Sequence, residues 1–247
     1  MGRKNKKFNI AFQKVSRSIS KQPQFKIGHE RGSSNNPLEG SRFRWLNESL
    51  YTEDSGKSFD LFQNDPSLFQ AYHTGFRSQA SAWPITPVDE CCGFILKKLK
   101  SGSTIGDFGC GDAKIAQQMK DKMKVHSFDL VSLNPLVTAC NISDVPLADK
   151  MLDLAVFSLS LMGTDWPKFV AEAQRCLKTG GVLYIAEVQS RIPEFQKFVD
   201  GFNKAFQVLE AENVKGKYFV RVILKKQNDC NMQLDHALLK PCLYKRR

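Results

Sequence analysis

The spacing of apolar and polar positions divides the chain into unequal stretches. Up to about residue 40 few aliphatics interrupt a background of Lys, Ser, Asn and Gln, and the segment closes in "HERGSSNNPLEG". Such a composition cannot bury enough surface to offset the entropy of ordering. Disorder is therefore expected for residues 1–40, with ordered structure from about Arg42. From there to Pro87 aromatics are dense, running from Phe43 and Trp45 through Tyr51, Phe59, Phe62, Phe69, Tyr72 and Phe76 to Trp83. Asp65-Pro66 reads as the cap and first residue of a helix through "SLFQAYHTGFRSQ". Thr86-Pro87 repeats that signal and opens a second helix that ends in lysines.

Beyond residue 100, apolar runs alternate with amphipathic stretches. "STIGDFG" predicts a short strand that stops at glycine, "DAKIAQQMKDKMK" a helix, "KVHSFDL" a second strand and "LVTACNI" a third. "MLDLAVFSLSL" is nearly continuous in apolar residues, as a buried parallel strand requires. "DWPKFVAEAQRCLKTGG" predicts a helix from Asp165 as cap to Gly180 just past its end. "GVLYIAEV" is a fifth strand, "IPEFQKFVDGFNKAF" a helix, and "FQVLEAENVKGKYFVRVILKK" two strands joined through "KGK". Strands alternating with helices predict an α/β doubly wound sheet. Val137 comes only eight positions after Asp129, whereas a parallel crossover takes a dozen or more. The second crossover helix is expected to be missing or reduced to a turn.

The 247 residues are 42% apolar, enough for a core. The formal charge is +11, and residues 1–50 hold +8 of it, with eleven Lys or Arg against three Glu. A basic arm on a nearly balanced body is the footprint of a phosphate-rich partner or of a targeting signal. Residues 1–29 contain no acid, as in organellar transit peptides, but their cations are mostly Lys, which favours a nuclear or nucleolar signal. Seven scattered cysteines without C-x-x-C spacing read as reduced thiols. No apolar run is long enough to span a membrane, and no metal-ligand spacing is present.

Chemistry centres on "IGDFGCGDAKIA", residues 105–116. A strand, a glycine turn and a helix place backbone N–H groups at the carboxyl edge of a sheet. The phosphate-loop pattern is absent, and the third glycine of a dinucleotide fingerprint would fall on Lys114. Asp107 and Asp112 flank the glycines; they would repel a pyrophosphate but suit the ammonium of a methionine moiety. Asp129, eighteen residues after Gly111, ends the second strand and can accept from both hydroxyls of a ribose. That feature fits NAD and S-adenosylmethionine alike. The flanking acids and the reversed last strand favour S-adenosylmethionine, and with it a class I methyltransferase fold with a C-terminal antiparallel hairpin. After the fourth strand, "SLSLMG" lacks the proline pair and aromatic of amino-methylating DNA enzymes. Cys242 in "KPC" lies in the tail, so a cysteine nucleophile is not expected. Direct attack by a substrate lone pair is what these exclusions leave.

"RFRWLNESLYT", "YHTGFRSQ", "WPITPVD", "DFGCGDAKIA", "SFDLVS", "FSLSLMGT", "EAQRCLKTGG" and "IAEVQSR", with the terminal "KPCLYKRR", resemble the ribosomal RNA-processing protein eight (nucleomethylin) family. The resemblance covers residues 42 to about 224 and the tail. It implies methylation of N1 of an adenine in large-subunit ribosomal RNA, in the nucleolus of the nucleus, as part of ribosome biogenesis. It also implies chromatin or pre-ribosomal proteins as further partners. The alternative is a component of ribosomal-DNA silencing that senses the cofactor without essential catalysis. The division expected is a basic arm at 1–40, a methyltransferase domain at 41–226 whose residues 41–100 form a helical lid, and a tail at 227–247. Carried over, the cofactor contacts are His73, Gly109, Asp129, Asn141, Ile142 and Ser158; no catalytic side chain is implied. Without the resemblance, His73 amid aromatics would read as a core residue. Asn141 stands where a carboxylate is common and Ser158 where a cysteine can stand, so weaker cofactor binding is expected. Arg42, Arg44, Arg77 and Arg191 are candidate phosphate contacts. The aromatics of 43–83 could stack on bases or fasten the lid.

Overall fold

The computed structural model describes residues 37–213, 218–232 and 234–244. The basic arm to residue 36 and the "KGK" turn lie outside the described residues. Helix α1 (Pro37–Thr52) opens the described chain, starting about a turn before Arg42. Its Phe43, Leu46 and Leu50 are buried at helical spacing. Helices α2 (Ser55–Asn64) and α3 (Pro66–Ala80) follow, and the Asp65 carboxylate caps α3 by accepting from the Ser67 N–H at 3.0 Å. Phe62, Phe69 and Tyr72 complete a small separate core, with Phe43 stacked on Tyr72 at 5.7 Å. Gly75 makes that approach possible, because a Cβ there would lie 2.4 Å from the Phe43 ring. The dense aromatics therefore fasten the N-terminal helices to one another. Helix α4 (Pro87–Lys98) is capped by Thr86 as its sequence requires.

The body is one seven-stranded sheet: β1 (Thr104–Phe108), β2 (Lys124–Asp129), β3 (Val137–Ala139), β4 (Leu152–Ser158), β5 (Leu177–Val188), β6 (Phe206–Glu212) and β7 (Phe219–Lys226). Their order is β3-β2-β1-β4-β5-β7-β6. The first five strands run parallel, while β7 is antiparallel to β5 and β6. This is a class I, Rossmann-like α/β sheet with its C-terminal hairpin. No helix joins β2 to β3, as the short spacing requires. Chain order reverses between β1 and β4, so a ligand is expected beyond their carboxyl ends.

Three elements depart from the sequence pattern. Helix α5 (Lys114–Met119) is only six residues long: Ala113, left-handed at φ 57, delays its start, and it ends at Met119, short of the turn that leads into β2. Helix α6 (Trp166–Cys176) ends at Cys176, not beside Gly180. Leu177 is fully buried and pairs with Leu152, which draws the chain into β5 at once. Gly180, at φ +82, lies instead inside β5, where the register shifts between the pairs Leu152–Leu177 and Leu154–Val182. Helix α7 (Phe195–Asp200) is likewise a short remnant of its predicted run. Asp165 does not cap α6 with its side chain. Its carboxylate accepts from the Ser55 N–H at 2.9 Å and the Ser55 hydroxyl at 2.8 Å, tying α2 to the body.

The C-terminal tail is a strap across two parts of the fold. The Cys242 carbonyl accepts from Asn47 Nδ2 on α1 at 2.8 Å, and Tyr244 packs on Phe43 at 5.3 Å. Lys240 exchanges backbone and side-chain hydrogen bonds with Arg191 beyond β5. Among the described residues no helix is long and apolar enough to cross a membrane.

Candidate functional site

A cavity of about 510 Å³ opens at the carboxyl ends of β1, β2 and β4, roofed by α2 and α3. Its floor is the glycine turn. Gly109 and Gly111 both have positive φ, +76 and +55. A Cβ on Gly109 would lie 2.4 Å from Ser160 Cβ, and one on Gly111 would lie 3.2 Å from the His73 ring. The turn thus needs glycine twice, once for the loop after β4 and once for the histidine from the roof.

Asp129 closes the far side of the turn. Its two oxygens accept from the Gly111 N–H at 2.7 Å and the Leu130 N–H at 2.8 Å. Each oxygen keeps a lone pair that can face the cavity. Asp107 is only 3% exposed, and none of the described residues donates a hydrogen bond to its carboxylate. Burial pushes its pKa up to about 7, with the nearby Asp129 charge adding to the rise. Asp129 is also raised by burial, with His73 and the two backbone bonds opposing. Burial holds the His73 imidazole below its ordinary pKa, so the ring is neutral at pH 7. A buried carboxylate without a partner calls for a cation or hydrogen-bond donors from a ligand.

Of the remaining predicted contacts, Asn141 and the buried Ile142 follow β3, and Ser158 is the last residue of β4. Asn141, just beyond β3, accepts from the Ser143 N–H through its amide oxygen and donates to the Ser55 hydroxyl, each at 3.0 Å. The oxygen keeps one lone pair for a ligand N–H. Ser55 therefore joins Asn141 to Asp165, and the loop after β3 is fixed to the roof. Ser158 ends β4, and the next residue, Leu159, is left-handed at φ 62 while its N–H reaches the Ala186 carbonyl at 2.9 Å. A bulky residue in that conformation is strained, a feature that concentrates at ligand sites.

His73, Gly109, Asp129, Asn141, Ile142 and Ser158 all line this one cavity. Sequence reasoning did not single out Phe62, Phe69, Trp83 or Leu159, which line it as well. Only the aromatic density before residue 87 hinted at the first three. Two candidate phosphate contacts need correction. Arg191 is 2% exposed and paired with Glu187 at 2.9 Å, inside the fold. Arg77 reaches the Asp112 carboxylate at 3.0 and 3.2 Å, so its charge is engaged and Asp112 is not a bare acid beside the turn. The carboxylates left for a cationic ligand are Asp107 and Asp129. Arg42 stays exposed, touching Ser67 at 3.5 Å, and Arg44 donates to Ser41. Cys242 is outside the cavity; Cys110 lines it, its thiol held protonated by burial. Among the described residues no group of His, Cys, Asp or Glu is arranged to hold a metal.

A family model described as a hypothetical methyltransferase matches residues 30–247. The chain belongs to that family. Its relatives include "Ribosomal RNA-processing protein 8" of Dictyostelium discoideum, 44% identical over 230 residues that cover 85% of this chain and 58% of the relative. The "Ribosomal RNA-processing protein 8" of Arabidopsis thaliana is 42% identical, covering 85% of this chain and 75% of its own length. The "25S rRNA (adenine(645)-N(1))-methyltransferase" of Schizosaccharomyces pombe is also 42% identical, covering 85% and 70%. Against the Dictyostelium and Drosophila relatives this family member spans 58% of the full length. Two solved structures share the fold. The 1,6-didemethyltoxoflavin-N1-methyltransferase of Burkholderia thailandensis superposes with a TM-score of 0.53 at 15% identity, over 67% of this chain and 90% of that one. A TehB-like methyltransferase of Corynebacterium glutamicum gives 0.52 at 19% identity, over 66% and 100%. At such identities the likeness is one of architecture.

Proposed function

We propose that the chain is an S-adenosylmethionine-dependent methyltransferase acting on N1 of an adenine in large-subunit ribosomal RNA, in the nucleolus. The observation that carries the cofactor is the buried, partnerless Asp107 beside Asp129. An anionic pyrophosphate would meet two carboxylates there, while an ammonium and a ribose would satisfy them. When bound, the cofactor supplies an electrophilic methyl on a sulfonium. Asp107 and the glycine turn would hold the methionine end and Asp129 the ribose. Asn141 and Ile142 would hold the adenine, with Ser158 near the β4 edge and His73 covering from the roof. The RNA substrate rests on the family relatives and on the +8 carried by residues 1–50.

Adenine N1 has an in-plane lone pair, so the N1–CH₃ bond can form as the S–CH₃ bond breaks, with no proton to remove. The positive charge leaves sulfur and arrives on the base. The protein then has to align the partners, exclude water and tolerate a cationic product. N1 is on the pairing edge, so the adenine must be unpaired or flipped out. Methyl-labelled S-adenosylmethionine and total RNA from cells lacking this protein test the reading. Label in 1-methyladenosine of the large ribosomal RNA, lost with Asp129→Ala, is the expected result. Cofactor binding without any label in RNA would instead support a cofactor sensor engaging chromatin or pre-ribosomes.

A further inference from the structure

The cavity is not used up by the residues that would hold the cofactor. Its carboxylates and the residues proposed for the adenine lie at the ends of β1, β2 and β3, with Ser158 at the end of β4 and His73 above on α3. On the other side of β4 the wall is made by Phe76 and Trp83. The Trp83 and Phe76 rings form a T-shaped pair at 5.9 Å and 82°, and Trp83 and Phe219 another at 4.9 Å and 68°. Phe219 pairs with Val188, at the carboxyl end of β5. The indole is thus braced on two sides by rings, over the half of the sheet that carries no cofactor carboxylate. The loop holding it, between α3 and α4, contains Pro84 and runs into Pro87 at the start of α4, and both prolines narrow its backbone freedom. The ring is only half-buried, and among the described residues its N–H finds no acceptor, whereas the buried Trp166 donates to the His236 carbonyl at 3.0 Å.

We propose that Trp83, braced by Phe76 and Phe219, is the platform on which the acceptor base stacks. This rests on the proposed adenine methylation and adds the residues that recognise the acceptor. The physical reason is charge. Methyl transfer makes N1 the third substituted position of a cationic ring, and an indole face attracts a cation more than a neutral ring. The interaction therefore strengthens as the methyl arrives, which helps the transfer step more than it helps substrate binding. Stacking is also indifferent to hydrogen-bond pattern, so this platform admits a flipped base and leaves sequence selection to the surrounding RNA.

Two measurements on the full chain separate this inference from the reading beneath it. The first uses Trp45→Phe protein, in which emission comes from Trp83 and the buried Trp166. With S-adenosylhomocysteine present, 1-methyladenosine monophosphate should quench saturably, at about tenfold lower concentration than adenosine monophosphate. No saturable quench, or no preference for the methylated base, overturns the platform even if RNA is methylated. The second compares Trp83→Ala and Trp83→Phe in methyl transfer to RNA. Trp83→Ala should lose about tenfold or more in kcat/KM, Trp83→Phe should recover most of it, and S-adenosylhomocysteine affinity should stay within about twofold in both. A parallel fall in cofactor affinity makes Trp83 a structural support and refutes the proposal. If the Trp45→Phe protein quenches as expected but methylates no RNA, the platform stands and the RNA substrate is wrong.

Discussion

The Gly111 N–H donates to Asp129 Oδ2 at 2.7 Å, so the carboxylate that faces the cavity also fastens the turn that forms its floor. With the Leu130 N–H on its other oxygen, Asp129 accepts from both flanks. Asp129→Asn replaces one acceptor oxygen by an NH₂ group, which must face one of those N–H donors. Asp129→Ala leaves both donors without their partner. Loss of a charge-assisted bond costs about 1.5–3 kcal/mol, so S-adenosylhomocysteine affinity should drop by about 10–100-fold in either variant. Calorimetric titration checks this. Unchanged affinity in Asp129→Ala would remove Asp129 from the ribose site.

Asp107 predicts a pH dependence with opposite signs for stability and for binding. Its folded pKa, about 7, lies above the ordinary carboxylate value. Between about pH 4 and pH 7 the folded state therefore keeps a proton that the unfolded state has lost. The ligand-free protein should lose stability from this group as pH rises through that window. A cationic ligand end needs the ionised form, so cofactor affinity should rise with pH up to about 7 and then level off. Asp107→Asn should bind weakly at all pH values and flatten both profiles. Denaturation and binding measured from pH 5 to 8 give the two slopes, and parallel slopes in wild type and variant would exclude this role.

Much of this site was legible in the sequence because its parts are local. A strand, two glycines and a second strand ending in Asp129 specify the turn within 25 residues, and all six positions named from the family resemblance fall on one cavity. The short gap before Val137 likewise showed that no helix could fit there. Partners distant along the chain could not be read. Arg191 looked like any exposed arginine until the fold placed Glu187, Leu161 and Lys240 around it. Asp165 carried a helix-cap signal, yet Ser55, 110 residues away, takes its carboxylate. Gly180 imitated a helix stop because glycine marks both left-handed caps and strand irregularities; only the pairing of Leu177 with Leu152 distinguishes them.

Arg77 on the roof and Asp112 on the floor form an ion pair across the rim, both about half-exposed. Solvent-exposed pairs contribute little to stability, about 0–1 kcal/mol. Arg77→Ala should therefore leave the denaturation midpoint almost unmoved. Ligand exchange is a different matter, because α3 must release the cavity for its occupant to leave. Faster dissociation of S-adenosylhomocysteine, by a few fold, is expected in stopped-flow displacement. The same acceleration should appear in wild type at high salt, where screening weakens the pair. A large stability loss in the variant would show that the pair is structural instead.

Glu187 and Arg191 make the contrasting pair, fully enclosed and joined at 2.9 Å. The contact lies off the line of a hydrogen bond, so the attraction is coulombic, while the Arg191 guanidinium donates to the Leu161 carbonyl at 2.7 Å and to Lys240 at 2.9 Å. Glu187 in turn accepts from the Leu161 N–H at 3.2 Å, and Tyr51 of α1 lies under the guanidinium at 4.6 Å. One buried pair thus holds the loop after β4, the C-terminal strap and helix α1. Arg191→Met strands the Glu187 charge, at a cost of about 3–5 kcal/mol. The double variant Glu187→Leu/Arg191→Met removes both charges and should regain much of that loss, though Leu161 and Lys240 keep unpaired groups. Urea denaturation of the three proteins gives the coupling between the two residues. Methyl transfer by the double variant should remain low even where folding is restored, because the Leu159–Met162 backbone has lost its clamp. Full activity in a refolded double variant would show that the loop holds its shape without the pair.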